Sequence, residues 1–141
     1  MPRSQFPAVI SRAFTAACIL LALQIVYVTF WVLAIPVVLA GWWDGQVAGL
    51  DGRNIVAHMR PYILPVAFLY LATLPATLYF VWRGRKAGLW TYLFSVSLHA
   101  VIWFNAVTNP YYDGRLSAVV LVLEACMVVL LYQLVLWRRL R

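Results

Sequence analysis

The sequence predicts an all-α membrane protein: a four-span antiparallel transmembrane helix bundle, one integral membrane domain over residues 1–141, with N and C termini cytoplasmic. Three observations carry this. Apolar runs occupy residues 13–40, 62–82, 89–107 and 116–137. Each holds about 19–28 residues, enough to cross a ~30 Å hydrocarbon core at ~1.5 Å per residue. The chain is 65% hydrophobic and 11% charged, against about 25% charged in a soluble domain. The charges are also unevenly placed. Arg3, Arg12, Arg83, Arg85, Lys86, Arg138, Arg139 and Arg141 share one side of a chain that crosses four times. Arg53, Arg60 and Arg115, with Asp44, Asp51 and Asp113, share the other. The positive-inside rule makes the first side cytoplasmic.

The same placement accounts for the net charge of +7. Cations at membrane borders meet anionic head groups, and no motif or basic helix face points to nucleic acid. The expected partners are the bilayer, including its anionic lipids, and a membrane-protein partner or a second copy of the chain. The expected location is the plasma (inner) membrane, multi-pass.

The first span follows Pro7, which places the helix start beyond it. At ~42 Å if unbroken, it must tilt, kink or protrude. It far exceeds the roughly 7–15-residue core of a secretory signal and reads as an uncleaved span. Pro36 marks a kink or exit, and Trp42 and Trp43 fit an interfacial belt. The connector over residues 41–61 is rich in glycine, with a turn signal at Asp51-Gly52. Residues 54–60 predict a short helical turn on the membrane surface with Ile55, Val56 and Met59 toward lipid; a solvated linker is the plainer reading. Asp51, Arg53, His58 and Arg60 form its candidate binding surface.

In the second span, Pro65 and Pro75 each remove a backbone hydrogen bond, and Thr73 and Thr77 are spaced to satisfy freed carbonyls. The short returns at 83–88 and after Asn109-Pro110 make spans two, three and four sequential neighbours. Trp90 and Tyr92 read as interfacial. Asp-Gly-Arg occurs at 51–53 and again at 113–115, which reads as convergence on turn chemistry. Cys18 and Cys126 read as small, soft, buried side chains.

Chemistry concentrates at mid-membrane. Glu124 is the one acidic residue within a span, and His99 lies deep in the third. An ionisable group there costs about 2.5–3.5 kcal/mol on insertion scales and needs a partner. His99 stands ~15 Å past Leu89 and Glu124 ~20 Å before Trp137 along their helices, so the two share a depth. Gln24 and Tyr70 reach the same level, at ~17 and ~18 Å from their own ends. The four predict a polar cluster, as an ion pair or as a neutral hydrogen bond between Glu124 and His99. No metal-spaced set, phosphate loop or nucleophile elbow occurs, so no metal, cofactor or catalytic residue is assigned. A haem held by two histidines of this chain is disfavoured by the unequal depths of His58 and His99.

These features support three functional readings. The first is an accessory, assembly or self-associating component of a membrane complex, with the small-residue face of Ala13, Ala16 and Ala17 as a contact. The second is a proton-coupled transporter or ligand-binding membrane protein using the Glu/His cluster. The third is a membrane enzyme acting at the outer face.

Overall fold

A computed structural model describes residues 6–47, 49–112 and 114–141. Arg3 and Asp113, used in the charge argument above, lie outside them, as does the start of the second Asp-Gly-Arg. The elements run α1 (Phe6–Leu39), β1 (Gln46–Val47), β2 (Leu50–Asp51), α2 (Gly52–Ala57), α3 (Ile63–Trp82), α4 (Ala87–Val107) and α5 (Arg115–Leu136). Helices α1, α3, α4 and α5 are long and apolar enough to cross a membrane.

The inner faces follow a seven-residue rhythm. On α3 the buried residues are Ile63, Ala67, Tyr70, Leu74, Thr77 and Val81. On α4 they include Gly88, Tyr92, Ser95 and His99, and on α5 Glu124, Met127, Leu131 and Leu134. Ala17, Leu21, Val28 and Val32 supply the stripe on α1. Alternating steps of three and four keep one seam turned to a neighbour, the pattern of helices crossing near +20°. The opposite faces are apolar too: Leu23, Val26, Phe30, Val119, Val122 and Leu123 are all exposed. Exposed apolar surface of this extent needs a lipid solvent.

Side-chain pairs give the helix directions. Thr77 meets Thr91, Thr73 meets Ser95, and Tyr70 stacks on His99. Numbers fall along α3 as they rise along α4, so the two are antiparallel. On α1 and α5, the Phe14 ring lies under Arg139 and Gln24 bonds Glu124, again in opposite order. One end of the bundle is basic and tied together. The Arg141 N–H donates to the Gly84 carbonyl at 2.7 Å, and the Lys86 N–H donates to the Arg141 carbonyl at 3.0 Å.

Several local expectations change. Helix α1 begins at Phe6, because proline is tolerated in a first turn, where its N–H would have no helical partner. It also passes Pro36 and ends a turn later. There Gly41, at φ 74°, lets the Trp42 and Gly41 N–H groups reach the carbonyls of Val37 and Val38. Pro65 falls in the first turn of α3 and breaks nothing; only Pro75 is interior. The Thr73 and Thr77 hydroxyls donate to the carbonyls of Tyr70 and Thr73, not to that of Leu71, which Pro75 frees. Ala17 is fully buried in the chain's own core, whereas Ala13 is half-buried and Ala16 exposed. Cys126 is exposed on the apolar outer surface instead of buried.

The connector over residues 41–61 folds instead of trailing. β1 and β2 pair antiparallel, Gln46 opposite Asp51. Asp51 is the N-cap of α2: its carboxylate accepts the Asn54 N–H at 3.2 Å and Asn54 Nδ2 at 2.7 Å. Asn109, at the turn after α4, donates from Nδ2 to the Ile55 carbonyl at 2.8 Å. The loop is thereby fixed across the end of the bundle.

Candidate functional site

Gln24, Tyr70, His99 and Glu124 meet in the bundle interior, because each sits on or beside the buried stripe of its helix. Glu124 is 1% exposed and His99 7%. Glu124 Oε1 accepts the Tyr70 hydroxyl at 2.6 Å and Gln24 Nε2 at 2.7 Å. Oε2 lies 2.7 Å from His99 Nδ1. The second Gln24 N–H reaches the Tyr70 oxygen at 2.9 Å. The rings of Tyr70 and His99 stack 5.2 Å apart at 9°. The imidazole is therefore fixed at one edge by Glu124 and on one face by Tyr70.

Tyr92 completes the cluster. Its hydroxyl donates to Gln24 Oε1 at 3.0 Å, which fixes which end of the amide faces Glu124. Tyr92 is 1% exposed, not interfacial. The signal for it lay in spacing: Tyr92, Ser95 and His99 stand at steps of three and four, on one helix face. Each member of the cluster now has a partner, as a buried polar group requires. Ser95 belongs to a separate hydroxyl ladder between α3 and α4. It approaches Thr73 Oγ1 at 2.6 Å, and Thr77 approaches Thr91 at 3.1 Å.

Between the cluster and the loop end lies a cavity of about 210 Å³. Its walls are Val28, Trp31, Val32 and Ile35 of α1, Ile63 and Ala67 of α3, Ile102 and Ala106 of α4, and Leu116 and Val120 of α5. Ile55 and Val56 of α2, with Met59 just beyond it, cover it. Those three side chains turn toward the space between the helices, not toward lipid, because the Asp51 cap and the Asn109 bond hold α2 over the bundle. Tyr70 and His99 form the cavity's other end. Asn105, Asn109, Tyr112 and Ser117 add polar atoms near the loop side. Tyr112 also accepts the Ser117 N–H at 3.0 Å, satisfying a free donor at the start of α5.

The second candidate set does not converge. The carboxylate of Asp51 serves Asn54. His58 Nδ1 lies 2.9 Å from the Asn54 carbonyl oxygen, and its ring lies against Tyr111. Arg53 and Arg60 are exposed, and no bond among the described residues joins them to Asp51 or His58. Among the described residues, no three His, Cys, Asp or Glu side chains gather at metal-binding distance. Trp31 lines the cavity, while Trp103 stands outside its lining.

No family model matches the chain, and none of the curated proteins or solved structures compared with it matches either.

Proposed function

We propose that this chain is a multi-pass protein of the plasma (inner) membrane that binds a small lipophilic molecule, with both termini and the 83–86 connector cytoplasmic. One observation carries the binding reading: an apolar cavity of about 210 Å³ ends on the Tyr70 and His99 members of a buried, hydrogen-bonded cluster. An apolar pocket with a few convergent polar groups is the usual form of a small-molecule site. The volume exceeds that of a ~150 Å³ apolar cavity that takes up benzene. The orientation rests on Arg83, Arg85, Lys86, Arg138, Arg139 and Arg141 at the tied end.

The same geometry ranks the alternatives. A proton-coupled transporter needs access to Glu124 from both sides. Toward the basic end, the cluster is followed by Leu21, Leu74, Leu131 and Leu134, all fully buried. Access is therefore one-sided, which favours binding over transport. An accessory role remains compatible with a bound lipophile, but Ala17 no longer offers it a contact. An outer-face enzyme has no converged residues to support it.

The test is native mass spectrometry of the full chain released from mild detergent, with Ala106→Leu as a cavity-filling variant. The expected result is a small apolar adduct on the wild type that is lost in the variant. Equal adducts on both proteins, or failure of the wild type to take up any lipophilic probe, would refute the binding reading.

A further inference from the structure

Resting on that binding reading, we infer that the ligand is an uncharged molecule whose polar group is a hydrogen-bond acceptor, a ketone- or quinone-type carbonyl, received by the Nε2–H of His99. The argument is a count of protons. Two donors face the Glu124 carboxyl group at Oε1, the Tyr70 hydroxyl and the Gln24 amide, and His99 Nδ1 shares a proton with Oε2. Glu124 and His99 are both buried, and an unbalanced charge there is strongly disfavoured. Oε1 accepts from both Tyr70 and Gln24, so a proton held by the carboxyl group sits on Oε2, and two arrangements then leave the pair with no net charge. In one, Glu124 is ionised and His99 carries protons on both nitrogens. In the other, Glu124 keeps its proton on Oε2 and donates it to Nδ1, so the neutral imidazole carries its proton on Nε2. Both arrangements leave Nε2 with an N–H.

None of the hydrogen bonds found among the described residues uses that nitrogen, whereas Nδ1 is held by Glu124. His99 is also one of the two cluster residues that line the cavity. The other, Tyr70, has its hydroxyl proton committed to Glu124. The donor available at the cluster end of the cavity is therefore the imidazole, and the carboxyl group behind it holds it in register. The walls contributed by Val28, Val32, Ala67, Ile102 and Val120 match an apolar body. An alcohol donating to the ring would require an Nε2 lone pair, which, with Oε1 accepting from Tyr70 and Gln24, is present only when the pair carries net negative charge.

The experiment uses a size-matched trio, acetophenone, 1-phenylethanol and ethylbenzene, with the full chain in nanodiscs. Binding is corrected for partition into protein-free discs. The ketone is expected to bind about tenfold tighter than the hydrocarbon, as for one good hydrogen bond to a charged donor. Its carbonyl stretch should move to lower frequency on binding, and both effects should vanish in His99→Phe, which keeps a ring but carries no N–H. Ala106→Leu should block all three probes without touching the cluster, which separates cavity from donor if His99→Phe folds poorly. Preference for the alcohol, or equal affinity across the trio with no carbonyl shift, would overturn the carbonyl assignment while leaving a binding pocket. Failure of all three to bind would remove the pocket, and the assignment with it.

Discussion

Replacing Glu124 tests the cluster most directly, because three polar side chains converge on one carboxyl group. Glu124→Gln keeps an oxygen for Tyr70 and Gln24, and turns the amide nitrogen to His99 Nδ1. The change exchanges one charge-assisted bond, worth about 1.5–3 kcal/mol, for a neutral one worth about 1. The expected loss is about 1 kcal/mol. Glu124→Leu removes the shared partner of all three side chains, and breaking a buried charged pair costs about 3–5 kcal/mol. Glu124→Lys is worse still, since it sets a cation among N–H donors. For a chain of this size, about 1 kcal/mol moves the unfolding midpoint by about 4 °C. Thermal unfolding in detergent, followed by fluorescence-detected size exclusion, should therefore show a drop of about 4 °C for Gln and about 15 °C for Leu. If Gln and Leu are equally damaged, or Lys is tolerated as well as Gln, the carboxyl group does not organise these side chains.

Gly88→Ala should lower the midpoint by several degrees, since the new Cβ would lie 2.6 Å from Val81 Cγ2; combining it with Val81→Ala should restore part of the loss. Asp51→Ala removes the cap of α2 at a cost of about 1 kcal/mol, and should speed hydrogen exchange over residues 52–57 while leaving α3–α5 unchanged. Asn109→Ala should do the same by releasing Ile55. Reporters fused after Arg141 and inserted at Gly49 should read cytoplasm and exterior respectively, and the same compartment at both sites would reverse the charge argument.

The spans were readable because length and apolarity are all that a bilayer demands of a helix. Which face turned inward was not, because Leu131 on the inside and Val129 on the outside are equally apolar. The polar residues broke that symmetry, so Gln24, Tyr70, His99 and Glu124 marked the interior. Tyr92 escaped because a tyrosine near a span's start also suits a head-group border. The same ambiguity hid the role of α2: Ile55, Val56 and Met59 declare an apolar surrounding without saying whether it is lipid or protein. The β1–β2 hairpin, with two residues per strand, is too short to leave any periodic trace.

The ties at the basic end make the bundle resemble a pair of tongs. Arg141 clips the tail to Gly84 and Lys86, Arg139 rests on Phe14, and Gly88 sits hard against Val81. Helices joined so firmly at one tip spread more readily at the other, where Asn109, the Asp51 cap and the His58–Tyr111 contact hold the cover. The loop-bearing half is thereby the part of the bundle with the fewest ties to break.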